Sequence, residues 1–361
     1  MAITAGHPST DLTVPKTQRA AVFEEWGKPV SFVQRPVVQE SELKPGQVLV
    51  KIMYSGVCHT DLHTARAEWP IMPPAPLVGG HEGAGFVVAI APGTQSPVKI
   101  GQAVGVSWLG SSCLSCEACN RGESYNLCIH FKTMTHRHKW LFVIGNEPIC
   151  SSTVKTGLLV DGTFQQYAVS YATHVTPIPE AIPLHLAAPI LCAGVTAYKA
   201  IKVADTLPGD IVVIPGAGGG LGHLAIQYAV NGFGLRVIAI DTALRYLRPG
   251  GTLVAVGAPS GAKLEIDIIE SIPRNITVKI SYIGNREDTR QALDMVARGR
   301  VQTACRVEPL GKLPEVFDEM EAGKLAGRVV LDLVGILLWE KLVFADDSVT
   351  VELNLNILEE F

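Results

Sequence analysis

The stretch DIVVIPGAGGGLGHLAIQYAVNGFGLRVIAID, residues 210–241, constrains the fold more than any other part of the chain. An apolar strand-like run leads into a glycine-dense turn, then an amphipathic helical run, then a second apolar strand. That order is the opening βαβ unit of a parallel sheet, with the helix as its crossover. Gly216, Gly218, Gly219, Gly220 and Gly222 occupy the turn. Without side chains there, a backbone can approach a pyrophosphate, and the helix start that follows favours negative charge. The spacing is not a literal G-x-G-x-x-G. Asp241 ends the second strand, where a carboxylate accepts the ribose hydroxyls of NAD and repels the 2′-phosphate of NADP.

The first 110 residues have a different texture. RAAVF, QVLVKIMYSGV, GAGFVVAIAPG and QAVGVSW are short β runs broken by Gly and Pro, the pattern of a mainly β unit whose loops carry function. With 361 residues the chain has room for two domains with cores of their own. A net charge of −4 argues against nucleic acid or an anionic membrane as partner, since both attract basic surfaces. No run approaches the roughly 20 apolar residues needed to span a bilayer. The N-terminus lacks the charged-then-apolar layout of a signal peptide, so a soluble, cytoplasmic protein is expected. In a reducing compartment the clustered cysteines read as metal ligands before disulfides.

Two tight loops, GVCHTDLH (56–63) and GGHEGAG (79–85), carry Cys58 and His81. One thiolate and one imidazole suit Zn²⁺, and a catalytic zinc takes three protein ligands and keeps one position open. Read singly, Cys58 is a buried thiol, His81 a loop histidine, Thr60 a turn hydroxyl and His63 a surface side chain. Their joint occurrence ahead of a cysteine-rich loop and a glycine turn changes that reading. In CLSCEAC, Cys113, Cys116 and Cys119 supply three legs of a second tetrahedral site. Cys128 and Cys150 are the candidates for the fourth.

Taken together, GVCHTDLH, PLVGGHEGAG, GVSWLGSSCLSCEAC, VDGTFQQYAV, PILCAGVTAYKA, GAGGGLGHLAIQYA, LRYLRPGGTLVAVGAPSG and GRVVLDL resemble the zinc-dependent alcohol dehydrogenases of the medium-chain dehydrogenase/reductase superfamily, fungal ethanol-type members in particular. The resemblance implies an α/β protein: a GroES-like, mainly β catalytic domain plus a Rossmann-type nucleotide-binding domain. It implies that Cys58, His81 and Cys192 hold a catalytic zinc, with Glu82 beside it as an exchangeable ligand and Asp61 orienting a ligating imidazole. Thr60 would take the alcohol proton and His63 would pass it to solvent. His59 and Arg328 match positions that touch the cofactor pyrophosphate, and Thr196, Val256 and Ala258 match positions near the nicotinamide. Trp69 and Trp108 match aromatic residues that narrow the substrate pocket toward small primary alcohols and their aldehydes. The cofactors implied are NAD and two zinc ions, one catalytic and one structural, in a homodimer or homotetramer.

The chain departs from that pattern in three places. Cys128 leaves eight residues after Cys119, where the family's structural site has seven. If residues 123–145 are removed, seven residues separate Cys119 from Cys150 and the family-like text runs on unbroken. The block therefore reads as an aberrant insert such as a retained intron, its histidines His130, His136 and His138 as solvated loop residues, and Cys150 as the fourth ligand. Second, ten residues lie between Asp241 and Thr252, fewer than the dozen a parallel crossover needs. About two strands of the nucleotide sheet are expected to be missing after Asp241. Third, the tail 336–361 has no family counterpart. The expected division is 1–187 catalytic, 188–308 nucleotide-binding, 309–335 returning to the catalytic domain, then the tail. Two rival readings follow: a catalytically impaired zinc-binding remnant, or an enzyme acting on larger alcohols or polyols.

Overall fold

The computed structural model describes residues 10–69, 72–120, 146–240, 247–257 and 263–335. Asp241, Ala258, Cys128, His130, His136, His138, the segment 123–145 and the tail 336–361 lie outside the described residues.

The N-terminal lobe is built on strands. β1 (Thr17–Phe23), β2 (Ser31–Pro36) and β4 (Leu77–Val78) make a small antiparallel sheet, and β3 (Gln47–Val57) is the spine of a larger one. One edge of β3 pairs with β5 (Gly83–Ile90), which leads to β6 (Ala103–Val106) and β10 (Thr176–Pro177). Its other edge is shared: β9 (Tyr167–Tyr171) covers Gln47–Lys51, and β16 (Arg328–Asp332) covers Tyr54–Val57. The valine- and isoleucine-rich β3 sits at the centre of this lobe, with most of its residues buried. β15 (Cys305–Pro309) runs parallel to β16, and β7 (Leu109–Ser111) pairs with β8 (Val154–Lys155). The short helices α1 (His59–Ala65) and α2 (Glu117–Asn120) carry the motif cysteines and histidines on loops around this sheet.

The second lobe begins with α3 (Leu184–Ala187), a 3₁₀ turn over Ala188–Leu191 and α4 (Ala193–Lys202). The sequence reads there as one helical run. The structure breaks it at Cys192, whose φ of −130° and ψ of −72° are not helical, just after a turn that opens with Pro189 near its start. The expected βαβ unit follows: β11 (Ile211–Pro215), α5 (Gly222–Gln227) and β12 (Arg236–Ile240), with the strands parallel and paired along their whole length. β13 (Thr252–Ala255), α6 (Ile268–Ser271) and β14 (Thr277–Ile280) form a second parallel pair. α7 (Arg286–Ala297) and α8 (Leu313–Glu321) complete the elements.

Among the described residues no strand joins β11–β12 to β13–β14, so the nucleotide sheet is present as two separate two-stranded pieces. The short link after β12 accounts for this, since it cannot carry a crossover helix. Ile269 and Ile280 of the second piece are each 85% exposed. The first piece is better covered: Ile201, Ile214, Ala229 and Leu235 form a small core under α5. A larger core joins the lobes, with Met53, Phe86 and Val330 packed with Leu191, Tyr198, Leu224, Tyr228 and Leu293. Among the described residues no single helix is long and apolar enough to cross a membrane.

Candidate active site and metal centres

Cys58 is the residue at which β3 gives way to α1, in an extended conformation that turns its side chain into the lobe. Three residues on, the buried Asp61 ties this corner together. Its Oδ2 accepts the Cys58 N–H at 2.9 Å, and its Oδ1 accepts the Gly80 N–H at 3.2 Å and the His81 Nδ1–H at 2.9 Å. The carboxylate fixes the imidazole tautomer, leaving the Nε2 lone pair free for a metal. That nitrogen lies 3.3 Å from Cys192 Sγ, which is itself 4.0 Å from Cys58 Sγ. Donor atoms of Cys58, His81, Cys192 and Glu82 all lie within 4.8 Å of one another. Residues 134 positions apart thus meet at one point.

The electrostatics suit a cation there. The Cys58 thiol is drawn well below its ordinary range by the hydrogen bond from Cys192, against the effect of burial. Cys192 is pushed well above by that same contact and by burial. Burial pulls His81 down, but the Asp61 carboxylate and Cys58 together outweigh it and the net direction is up. Two sulfurs this close, one of them buried and the other half-buried, do not both ionise without positive charge between them. A soft divalent ion supplies it, and two sulfurs with one imidazole form a zinc-type donor set.

Glu82 faces the same cluster from β5's approach. The guanidinium of Arg328 donates to Glu82 Oε1, while Glu82 Oε2 and Arg328 Nε are buried without a hydrogen-bond partner. Burial lifts Glu82 to about 7, with Arg328 pulling the other way. An unpartnered buried carboxylate oxygen beside two thiols is a ready additional metal donor. It also needs Gly56, because a Cβ there would lie 2.0 Å from Oε2.

α1 carries the remaining polar candidates. His63 Nδ1 is 2.5 Å from Glu68 Oε2, with 19% of its side chain exposed, and the His59 and His63 ring centroids are 6.2 Å apart. The Thr60 carbonyl accepts from Thr64 Oγ1, which also receives the Trp69 Nε1–H at 3.0 Å. Trp108 is buried, its ring edge-on to His81 at 5.1 Å between centroids. Leu158, Val195 and Ile283 pack against it, with Trp69 at the margin. Sequence reasoning missed Leu158, Val195, Tyr282 and Ile283. Ile283 and Tyr282 were within reach, because residues just past a parallel strand's carboxyl end line such crevices.

On the cofactor side, Gly216 has φ of +64°, and a Cβ on Gly222 would lie 2.1 Å from the Gly216 carbonyl oxygen, so the turn requires both glycines. Gly218 has no atom within 4 Å of its Cβ direction and leaves that face of the turn open. Gly220 packs on Arg328, which therefore borders both the glycine turn and the metal cluster. The open face and the buried arginine suit a pyrophosphate. Thr196 lies on α4, its N–H bonded to the Cys192 carbonyl, and Val256 is half-buried after β13.

The second centre is made of sulfur. Sγ atoms of Cys113, Cys116, Cys119 and Cys150 lie within 4.8 Å of one another, so Cys150 joins the three legs of CLSCEAC. Backbone N–H groups of Cys116 and Ser152 point at Cys113 and Cys150 sulfurs, at 3.3 and 3.4 Å. Backbone hydrogen bonds from Ser115 and Cys116 lower the Cys113 thiol to about 5. Burial raises Cys119 to about 12, a proton that a tetrahedral zinc would displace.

Residues 44–180 match the family described as the alcohol dehydrogenase GroES-like domain. The chain is 40% identical to an alcohol dehydrogenase of Schizosaccharomyces pombe, over 89% of this chain and 99% of that protein. It is 38% identical to alcohol dehydrogenase 1 of Neurospora crassa, over 88% and 98%. The first alignment spans 378 positions, more than the 361 residues of this chain, so it carries gaps on this side. Among solved structures, a cinnamyl alcohol dehydrogenase of Sorghum bicolor matches with a TM-score of 0.73 at 25% identity, over 89% of this chain and 98% of that one. The alcohol dehydrogenase of Aeropyrum pernix matches with 0.70 at 25%, over 87% and 99%. With two cysteines and a histidine converging where the sequence motifs lead, and near-full-length similarity to fungal enzymes, the chain belongs to the zinc-dependent alcohol dehydrogenases of the medium-chain dehydrogenase/reductase superfamily.

Proposed function

We propose that this chain interconverts a small primary alcohol and its aldehyde by hydride exchange with NAD. The observation that carries the proposal is the meeting of Cys58, His81 and Cys192 donor atoms at one buried point, with Asp61 behind the imidazole. Those three residues would hold the catalytic zinc, with Glu82 as an exchangeable fourth, and Cys113, Cys116, Cys119 and Cys150 the structural one. When bound, the catalytic metal lowers the pKa of the alcohol oxygen, and NAD accepts the hydride.

The chain's own groups do the rest. Asp61 holds the His81 tautomer, so the ring presents Nε2 and not a proton. Thr60 accepts the alcohol proton and His63, half-buried on α1, passes it to solvent. Trp69 and Trp108 restrict the pocket to small substrates. His59 and Arg328 would neutralise a pyrophosphate held by the turn of Gly216, Gly218, Gly219, Gly220 and Gly222. By the family resemblance Asp241 would set the preference for NAD, and Thr196, Val256 and Ala258 would serve the nicotinamide end of the cofactor. A cytoplasmic location, a homodimer or homotetramer and the division at residues 187, 308 and 335 belong to the same proposal.

The two separate two-stranded pieces favour one second reading: a chain that keeps its zinc but binds NAD too weakly to turn over. Titration with NAD by calorimetry on the zinc-loaded protein, paired with ethanol oxidation rates, separates the two. Binding with turnover supports the enzyme, and zinc without NAD binding supports the remnant.

A further inference from the structure

One side of the apolar cluster around Trp108 comes from the other lobe, through Val195 and Ile283 and through a hydrogen bond to the indole. Trp108 Nε1–H donates to the Tyr282 hydroxyl at 2.6 Å, joining the loop after β6 to the segment between β14 and α7. We propose that Tyr282 is the positioning residue for Trp108: its hydroxyl pins the indole edge-on against His81 and thereby sets the size limit of the substrate pocket. The inference rests on the alcohol-oxidising reading above.

Tyr282 stands on a segment held from both sides. Before it, the Ser281 N–H bonds the Ala255 carbonyl of β13 at 2.8 Å. After it, a Cβ on Gly284 would lie 2.5 Å from a Val195 methyl, so the chain lies flat against α4. Asn285 caps α7 through the Asp288 N–H at 2.8 Å. Arg286 then reaches across to the β lobe, giving Nε and Nη2 to Glu147 Oε1 at 2.8 and 2.6 Å and Nη1 to the Thr173 carbonyl at 3.0 Å. The backbone under Tyr282 is therefore held in place, and its hydroxyl offers the Trp108 indole N–H an acceptor at a defined point. Ile283, beside it, is buried against Trp108, Leu158 and Val195. Tyr282 itself is 44% exposed, so loss of its hydroxyl opens no buried cavity at its own position. Without that partner the buried indole N–H is unsatisfied, and the ring turns to find another acceptor.

The test compares the full zinc-loaded chain with Tyr282→Phe, Trp108→Phe and the double variant, on ethanol, butanol and branched alcohols. The expected result for Tyr282→Phe is a higher KM for ethanol with kcat little changed. The kcat/KM ratio of butanol to ethanol should rise roughly tenfold. Trp108→Phe should shift the ratio the same way, and the double variant should go no further. An unchanged ratio, or two additive effects, overturns the proposal. Hydrogen exchange of the Trp108 indole N–H, followed by NMR, reads the contact without turnover: it should be slow in the parent chain and fast in Tyr282→Phe. Equal rates overturn the positioning role. A parent chain that oxidises no alcohol contradicts the function and the size limit together, while the indole exchange still decides whether Tyr282 holds Trp108.

Discussion

Arg328 and Glu82 form a buried ion pair that joins the metal cluster to the glycine turn. Their side chains are 4% and 0% exposed, so the guanidinium cannot be lost without leaving a carboxylate stranded. Arg328→Met should destabilise the chain by about 3–5 kcal/mol at pH 8, the cost of an uncompensated buried charge, and by less at pH 6, where burial lets the Glu82 carboxyl keep its proton. Adding Glu82→Gln should recover part of it. Urea unfolding of both variants checks this, and equal midpoints for the single and double variants would count against the pairing.

Asp61→Asn keeps the shape of the corner and alters the partner of His81 Nδ1. Zinc affinity should fall by roughly 10- to 100-fold. Competition with a chromophoric chelator measures it directly.

Cys150→Ser should strip zinc from the four-sulfur centre, while Cys128→Ser should keep the full complement. Atomic absorption on the two purified variants distinguishes them. The opposite pattern would make Cys128 the fourth ligand.

His174 supplies a pH dependence of stability. It is buried, with its ring nitrogens at Ser112 Oγ and Thr173 Oγ1, and burial, aided by Arg286, lowers it from 6.5 to about 4. Between these values the unfolded chain binds the proton and the folded chain does not, so stability falls as pH drops from about 6.5 to about 4 and levels off below. The contribution is about 3 kcal/mol. His174→Asn should flatten that limb relative to the parent chain, measured as urea midpoint against pH.

Much of this was legible in the sequence, and the reason is local. Cys58, Asp61 and His63 share one turn, and the glycine turn lies between its own strand and helix, so short-range chemistry writes them side by side. Cys192 was legible only through resemblance, because the break that exposes it interrupts an otherwise helical run. Tyr282 and Trp108 are 174 residues apart, and Glu147 and Arg286 139 apart. Neither pair belongs to a periodic pattern, and tertiary packing alone brings them together. The short link after Asp241 did foretell the divided sheet, because chain length bounds what a crossover can span.

Two thiolates and one imidazole should share a single zinc. X-ray absorption at the zinc edge tests it most directly, on the parent chain and on a Cys58→Ser, Cys192→Ser double variant. The parent should show sulfur at about 2.3 Å together with nitrogen at about 2.0–2.1 Å. The double variant should lose roughly half its zinc and keep a shell of sulfur alone. Unchanged zinc content, with the nitrogen contribution intact after both thiols are gone, would contradict the account.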